Sequence, residues 1–333
     1  MEIRKISSQV TQVALPLLLG GAILYWMYRG FDLSEIKDAM FNDMNWTWML
    51  LSLPFGITAQ LFRGLRWCQT LEPIGEHARK STATNAVFIS YASSLVIPRI
   101  GEFLRCGVLK RYDGVPFAKS LGTVVTERAV DTIVVAIVTV LTLLLQLPVF
   151  RNFFLTTGTR LDTILGRFTT TGYIVTFICL VAAIILVWQL LRKMKVYNKV
   201  RTTIGNLWQG VISLRNVRNI PLYLFYTIGI WASYFLHFYL TFFCFEATSG
   251  LGISCALVAF VVGSIAVIVP TPNGAGPWHF SVKTMLILYG VESNAALLFV
   301  LIVHTVQTML VVLLGVWGAG ALALTKRRVE RNV

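Results

Sequence analysis

Apolar residues run along this chain in blocks longer than soluble helices use. Continuous stretches at about 10–28, 47–66, 116–146, 171–191, 221–245 and 295–321 reach the roughly 20 residues that an α-helix needs to cross a hydrocarbon core. They predict six crossings. Two further stretches, 82–112 and 251–290, are as apolar at their ends but break near the middle, at Pro98 and Gly101 and at the run from Pro270 to Pro277. Broken backbone persists at membrane depth only where protein or a wet cavity satisfies its polar groups, so both are expected to be re-entrant hairpins of half-helices. The expected fold class is an all-α polytopic membrane protein of about six spans plus two re-entrant broken hairpins, arranged as an inverted-topology repeat.

Composition agrees with that pattern. Of 333 residues 56% are hydrophobic and 13% charged, with a mean hydropathy of +0.71, outside the range of ordinary soluble domains. The net charge of +14 does not point to nucleic acid, because Lys and Arg cluster in short segments between apolar runs, the pattern that orients membrane proteins. With the N-terminus inside, Arg4, Lys5, Arg79, Lys80, Lys110, Arg111, Lys119, the basic stretch from Arg192 to Arg218 and the tail from Lys326 all fall on the cytoplasmic side. Arg29, Lys37, Arg151, Arg160, Arg167 and Lys283 remain outside. The expected location is thus the cell (inner) membrane, multi-pass, with both termini cytoplasmic. Short surface-lying helices are expected around Phe31, Leu33, Ile36 and Met40 and between Lys199 and Arg218. The five cysteines, Cys68, Cys106, Cys179, Cys244 and Cys255, lack metal or disulfide spacing and read as small core residues.

The two halves resemble each other. Pro98, Gly101, Gly114, Arg128 and Asp131 follow in order in the first; Pro272, Gly276, Gly290, His304 and Gln307 follow at nearly the same spacing in the second. The expected organisation is a first membrane repeat over 1–147, an external loop over 148–170, a second repeat over 171–325 and a basic tail over 326–333. Inverted repeats around paired broken helices are a common way for transporters to build a central site reachable from either side.

Charge inside the apolar stretches marks candidate chemistry. Pro98 and Gly101 are expected to end an incoming half-helix and Glu102 to begin the outgoing one, with its N–H groups turned into the membrane interior. Arg99, Glu102 and Arg105 are spaced so that Glu102 pairs with either arginine and leaves one guanidinium fork for an anion such as a phosphate diester; the alternative is mutual neutralisation of an anchored loop. In "VTERAVD", Arg128 and Asp131 are placed to pair at i, i+3, leaving Glu127 for Arg63, Arg66 or Arg99. Unpaired, each charge would cost about 2.5–3.5 kcal/mol on insertion. In "VPTPNGAGPWHFS", Gly274 and Gly276 precede a helix with Pro277 at its first position, and His279 in the first turn is placed to meet an anionic group, to carry a proton or simply to pack. His304 and Gln307 are expected to make helix-to-helix hydrogen bonds.

"RGLRW" at 63–67, "IPRIGEFLRCGVLKR" at 97–111, "TERAVD" at 126–131 and "PTPNGAGPWHF" at 270–280 together resemble the flippase-like membrane domain of the lysylphosphatidylglycerol synthase family, a group similar to certain archaeal dolichol-pathway membrane proteins. The resemblance implies movement of modified phospholipids or related lipids between leaflets, with Arg99, Glu102, Arg105, Glu127 and Arg128 near the lipid cavity. The family's second glycine-rich motif commonly continues to a glutamate where this chain has His279. The soluble aminoacyl-transferase domain of the full synthases has no counterpart in these residues.

The expected function is a lipid transporter moving an anionic phospholipid or a polyprenyl-phosphate-linked lipid between leaflets. The candidate lipid- or anion-binding residues are Arg63, Arg66, Arg99, Glu102, Arg105, Glu127, Arg128, Asp131, Gly274, Gly276 and His279. No catalytic residue, metal, cofactor or nucleic-acid partner is expected: the longest hydrophilic connection, Arg192 to Pro221, is roughly 30 residues, too short for a nucleotide-binding domain, and no phosphate-binding or metal-spaced motif is present. The alternatives are a membrane enzyme acting on a polyprenyl-phosphate lipid, with Glu102 or Glu127 as base, and a membrane subunit docking a separate lipid-modifying enzyme.

Overall fold

A computed structural model describes residues 18, 20–29, 37–156, 217–269 and 271–325, with the backbone alone over 147–156. The expected span at 171–191, the inner-surface segment between Lys199 and residue 216, Cys179, Pro270, the basic tail and Phe31, Leu33 and Ile36 lie outside the described residues.

All regular structure among the described residues is helical. The first described helix, α1 (20–28), is followed by a short π-helical turn, Ala39–Asp43. Then come α2 (Trp46–Leu71), α3 (Lys80–Ser93), α4 (Ile100–Asp113), α5 (Phe117–Thr156), α6 (Ile220–Tyr239, tightening into a 3-10 turn to Cys244), α7 (Gly252–Ala266), α8 (Pro277–Leu288) and α9 (Ser293–Ala323). Phe117–Gln146, Ile220–Cys244 and Ser293–Ala323 are long and apolar enough to cross a membrane. Local chemistry sets the starts. Asn45 caps α2 by accepting from the Thr47 N–H, Asn219 caps α6 through Leu222, and Glu292 accepts from the N–H groups of Asn294 and Ala295 to open α9. Those two donors also hold the Glu292 carboxyl below the usual range. Helix α5 runs on to Thr156, so residues 148–156 of the expected external loop are helical. The fall in hydropathy there marks an edge in polarity; a helix satisfies its backbone internally and needs no apolar surroundings to continue.

Both interrupted stretches are pairs of half-helices. In the first, Arg79 at the head of α3 bonds Asp113 and the Tyr112 carbonyl at the tail of α4, while Ser90 near the tail of α3 lies against Gly101 in the first turn of α4. The two helices are therefore antiparallel. The break falls earlier than expected: α3 stops at Ser93, the chain turns through 94–99, and α4 starts at Ile100, so Gly101 lies inside the outgoing half-helix. Ser93 and Ser94 donate back to the carbonyls of Ile89 and Ser90 and close the incoming helix. Gly101 serves close approach, since a Cβ there would sit 1.8 Å from the Ser90 carbonyl oxygen. In the second hairpin, Gly263 near the end of α7 faces Trp278 and Val282 of α8.

Helices α2 and α6 lie antiparallel along their length: Arg66 meets Thr227, Phe62 meets Phe225 and Gly229, and Gly56 and Ser52 meet His237. Each closing helix leans on the hairpin of the other half, α9 on α3 and α5 on α7. Gly315 and Gly318 let α9 approach Ala92, Phe88 and Asn85. Two apolar cores result. One centres on Trp67, Leu71, Val87 and Leu109 of the first half; the other centres on Phe238, Phe242, Phe299 and Val282 of the second.

Gly101→Ala is expected to lower the thermal unfolding midpoint of the detergent-solubilised protein, because overpacking costs about 1–3 kcal/mol even where side chains can give, and here the obstacle is backbone. Gly107→Ala in the same helix, where a Cβ meets nothing within 4 Å, is expected to hold or raise it through helix propensity. Equal midpoints for the two variants would contradict the close packing of α3 on α4.

Candidate functional site

Where α2, α4 and α5 converge, their charged residues form one lattice. Arg63 and Arg66, three apart on α2, share a face; so do Glu127 and Asp131, four apart on α5. Arg63 Nη1 lies 2.5 Å from Asp131 Oδ2, and Arg66 Nη2 lies 2.7 Å from Asp131 Oδ1. Arg66 Nε also reaches Glu127 Oε1 at 3.7 Å. Arg105, from α4, places Nη1 2.8 Å from Glu127 Oε2. Aromatic rings wall these cations. Arg63 Cζ is 5.9 Å from the rings of both Tyr91 and Tyr234, Arg66 Cζ is 5.8 Å from Tyr223, and Arg105 Cζ is 4.6 Å from Trp67. Trp67 is held by its Nε1–H donating to Thr123 Oγ1, and the two tyrosines by a 3.2 Å hydroxyl contact.

The lattice has a closed floor and an open edge. The side chains of Arg66 and Glu127 are 0% exposed and that of Arg105 1%, whereas Glu102 and Arg128, paired at 2.8 Å, are 28% and 40% exposed. Arg128 Nη1 also lies 3.8 Å from Asp131 Oδ2 and so joins the edge to the floor. Four guanidinium groups thus face three carboxylates, leaving one positive charge in excess. The buried Nε and Nη2 of Arg105 have no hydrogen-bond partner among the described residues.

Two expected pairings are corrected. Glu102 pairs with Arg128 on α5 and not with Arg99 or Arg105 on its own helix, and Arg105 turns inward to Glu127. Asp131 spends its closest contacts on Arg63 and Arg66, with Arg128 a distant third. For Arg105 with Glu127 and Asp131 with Arg63 and Arg66 the reason is depth: an intrahelical i, i+3 pair sits on one helix surface, while these pairs between helices bury both charges. Arg105 and Glu127 therefore close on each other and do not line an open hollow. A cavity of about 260 Å³ lies instead beside the ends of α2 and α5, lined by Thr70, Ile74, Lys119, Thr123, Thr126 and Val217 among others.

Arg99 is exposed at the apex of the first hairpin with φ 65°, and its Nη2 reaches the Ile268 carbonyl at the apex of the second, 3.4 Å away. Asn273, one residue past Pro272 as Arg99 is one past Pro98, has φ 51°; these are the two non-glycine residues with positive φ among the described residues. Gly274, Gly276 and His279 stand at this second apex, apart from the charge lattice. Gly276 has φ 91°, and a Cβ there would come within 2.9 Å of the Gly20 carbonyl of α1. Its N–H points to His279 Nδ1 at 3.4 Å. His304 Nε2 is 3.2 Å from the Asn273 carbonyl, and the Gln307 amide donates to the His237 carbonyl at 3.2 Å. The helix-to-helix bond expected of Gln307 is present, and His304 reaches the hairpin apex.

Sequence reasoning missed Tyr91, Tyr223, Tyr234 and Trp67 as the walls of the lattice, and Asn273 as a partner of His304. Trp67 sits inside the quoted "RGLRW" and Asn273 inside "PTPNG", so both lay in view. The tyrosines had no signal beyond being aromatic in apolar runs.

A family model described as the lysylphosphatidylglycerol synthase TM region matches residues 13–315. Among curated proteins the chain is similar to a protein named glycosyltransferase AglD of Haloferax volcanii, 28% identical over 133 residues, which is 40% of this chain. The match spans 21% of that protein's length. No solved structure matches.

Glu127→Gln is expected to destabilise the fold by about 3–5 kcal/mol, the cost of leaving a buried cation without its partner. The paired change Arg105→Met with Glu127→Met is expected to recover most of that loss. Thermal unfolding of the single and double variants in detergent tests it, and a double variant as unstable as Glu127→Gln would count against the pair.

Proposed function

The chain belongs to the lysylphosphatidylglycerol synthase membrane-region family, and from that premise we propose that this multi-pass membrane protein moves a lipid with an anionic phosphate headgroup between leaflets, without a covalent step. One observation carries the reading: the charge lattice has an excess guanidinium and a half-exposed ion pair, Arg128 with Glu102, at its open edge beside Arg99. A phosphate diester is a planar-fork ligand for arginine and substitutes for the Glu102 carboxylate on Arg128 with little change in local charge. Lipid tails stay in the bilayer while the head occupies the edge. The antiparallel α2 and α6, and the hairpins whose apices touch through Arg99 and Ile268, supply two related halves that rock about the site. Re-entry of the hairpins from opposite sides, both termini inside and residence in the cell membrane belong to the same proposal.

A second reading rests on the similarity to a protein named a glycosyltransferase: a membrane enzyme acting on a polyprenyl-phosphate lipid. It puts Glu102 in the role of base, and the exposed edge in the role of active site.

In proteoliposomes with a fluorescent phosphatidylglycerol whose leaflet is read by a membrane-impermeant quencher, Arg128→Gln and Glu102→Gln are each expected to slow movement about 10- to 100-fold, the equivalent of losing one charge-assisted hydrogen bond. Lys119→Ala, whose ion pair with Glu76 is half exposed and lies away from the edge, is expected to stay within about twofold, as exposed pairs contribute little. Equal rates for all four proteins would remove the transporter reading. Turnover of a polyprenyl-phosphate sugar by purified protein, abolished in Glu102→Gln, would install the enzyme in its place.

A further inference from the structure

At the apex of the second hairpin two histidines lie against each other, and one of them, His304, holds the repeat position that Arg128 holds in the first half. The rings of His279 and His304 are 4.4 Å apart between centroids, and His279 is 3% exposed. Hydrogen bonding fixes where their protons sit. His279 Nδ1 accepts from the Gly276 N–H, so its proton is on Nε2. His304 Nε2 lies 3.2 Å from the Asn273 carbonyl oxygen and 3.5 Å from Asn273 Nδ2; the closer partner, an acceptor, favours a proton on Nε2, and in that tautomer Nδ1 is an acceptor 3.5 Å from Thr308 Oγ1. Thr308 in turn accepts from Asn273 Nδ2 at 2.8 Å. In these tautomers each ring is neutral, and His304 Nδ1 is the place for one further proton.

The surroundings supply no counter-charge for it. Helix α1 contributes Tyr28, whose ring is 6.2 Å from His279 and perpendicular to it; α8 contributes Trp278 and, one turn beyond His279, Lys283. From α9 come Thr308 and Gln307, and from α6 comes His237, whose Nδ1 is engaged with the Ser52 carbonyl. The titratable side chain of α7, Cys255, is in the apolar core. No carboxylate among the described residues faces either imidazole. An imidazolium here is costly alone and becomes favourable when an anion arrives nearby. The anion's proposed landing point is one apex away, since Arg99 of the first hairpin reaches the Ile268 carbonyl of the second.

We propose that the His279–His304 pair is a proton-binding site that couples movement of an anionic lipid head to movement of a proton. The inference rests on the transporter reading above and specifies what drives it. The proton enters from water, forms an N–H bond at His304 Nδ1, and leaves to water on the other side; no bond of the lipid is made or broken. Thr308 then turns its hydroxyl proton away and accepts from His304 Nδ1 on its second lone pair, keeping the bond that it accepts from Asn273 Nδ2. One proton per monoanionic head makes the cycle electroneutral.

The test uses the full chain in vesicles containing fluorescent phosphatidylglycerol, with the potential clamped by potassium and valinomycin. A pH difference of one unit is expected to drive the steady-state leaflet ratio of wild-type vesicles to about tenfold, the limit for one coupled proton. In His279→Gln and His304→Gln vesicles the ratio is expected to stay near one whatever their rate. Wild-type protein that equilibrates the lipid to a ratio near one under the gradient overturns the coupling and leaves the transporter reading standing. A second measurement does not depend on transport: calorimetric titration of detergent-solubilised protein with short-chain phosphatidylglycerol in two buffers of different ionisation enthalpy. Uptake of about one proton per lipid bound near pH 6, lost in His304→Gln, supports the site even if no lipid crosses, in which case the transporter reading alone fails. No proton uptake in the wild type overturns the proposal.

Discussion

The structure depends on the ion lattice joining α2, α4 and α5. In lipid, a lone guanidinium or carboxylate has no water to retreat to, so each charge must find a partner on another helix or the helix does not stay inserted. Asp131 sits between Arg63 and Arg66, and Glu127 sits between Arg66 and Arg105, so three helices are fixed in register by three short contacts and a longer one of 3.7 Å from Arg66 to Glu127. That fixes the hairpin too: Arg105 belongs to the outgoing half-helix, and drawing it down to Glu127 holds Ile100–Asp113 at its depth. Hydrophobic packing offers no such specificity, because side chains facing lipid and side chains facing a neighbour are solvated about equally well.

The two halves use one scaffold for two chemistries. On α5, Arg128 reaches its own hairpin at Glu102 and Asp131 reaches α2; on α9, His304 reaches its own hairpin at Asn273 and Gln307 reaches α6. The geometry is repeated while the charge is not. Left-handed residues stand one past each apex proline, Arg99 and Asn273, and left-handed glycines end each outgoing half-helix, Gly114 and Gly290. A non-glycine residue held there costs of order 1–3 kcal/mol, and its presence at both equivalent apices marks a position that the surrounding fold imposes.

Much of this was legible in the residues themselves. The blocks of apolar sequence, the interruptions at Pro98 and Pro272, and the spacing shared by Arg128 with His304 and by Asp131 with Gln307 all follow from length, helix breakers and order along the chain. The candidates Arg63, Arg66, Arg105, Glu127 and Asp131 were visible because charge within an apolar run demands an explanation. Who pairs with whom was not visible. Spacing along one helix suggests neighbours at i, i+3, and the lattice instead chose partners across helices, buried at Arg105 with Glu127 and at Asp131 with Arg63 and Arg66. The end of α3 at Ser93 was hidden for a similar reason: Pro98 and Gly101 stand out as breakers, whereas serines turning back on their own helix leave a weak mark. The tyrosine walls depend on helix crossings that a linear pattern does not encode.

In the transport reading proposed above, Glu102 is a resident stand-in for the ligand. It holds Arg128 at the exposed edge of the lattice, so an incoming phosphate need displace one carboxylate and disturb no buried pair. Once displaced, Glu102 is three residues from Arg99 on the same turn, within reach of a second cation. Both arrangements keep Arg128 and every carboxylate paired, and the head's single negative charge offsets the single positive charge in excess. That near-balance is what a bistable element requires, because a site that gained many ion pairs on binding would hold its lipid too tightly to release it on the other side. In the same reading Arg99 links the exchange to the hairpins: its side chain reaches across to the Ile268 carbonyl, and turning to meet Glu102 would release the contact between the two apices. Headgroup entry and separation of the halves would then be one event.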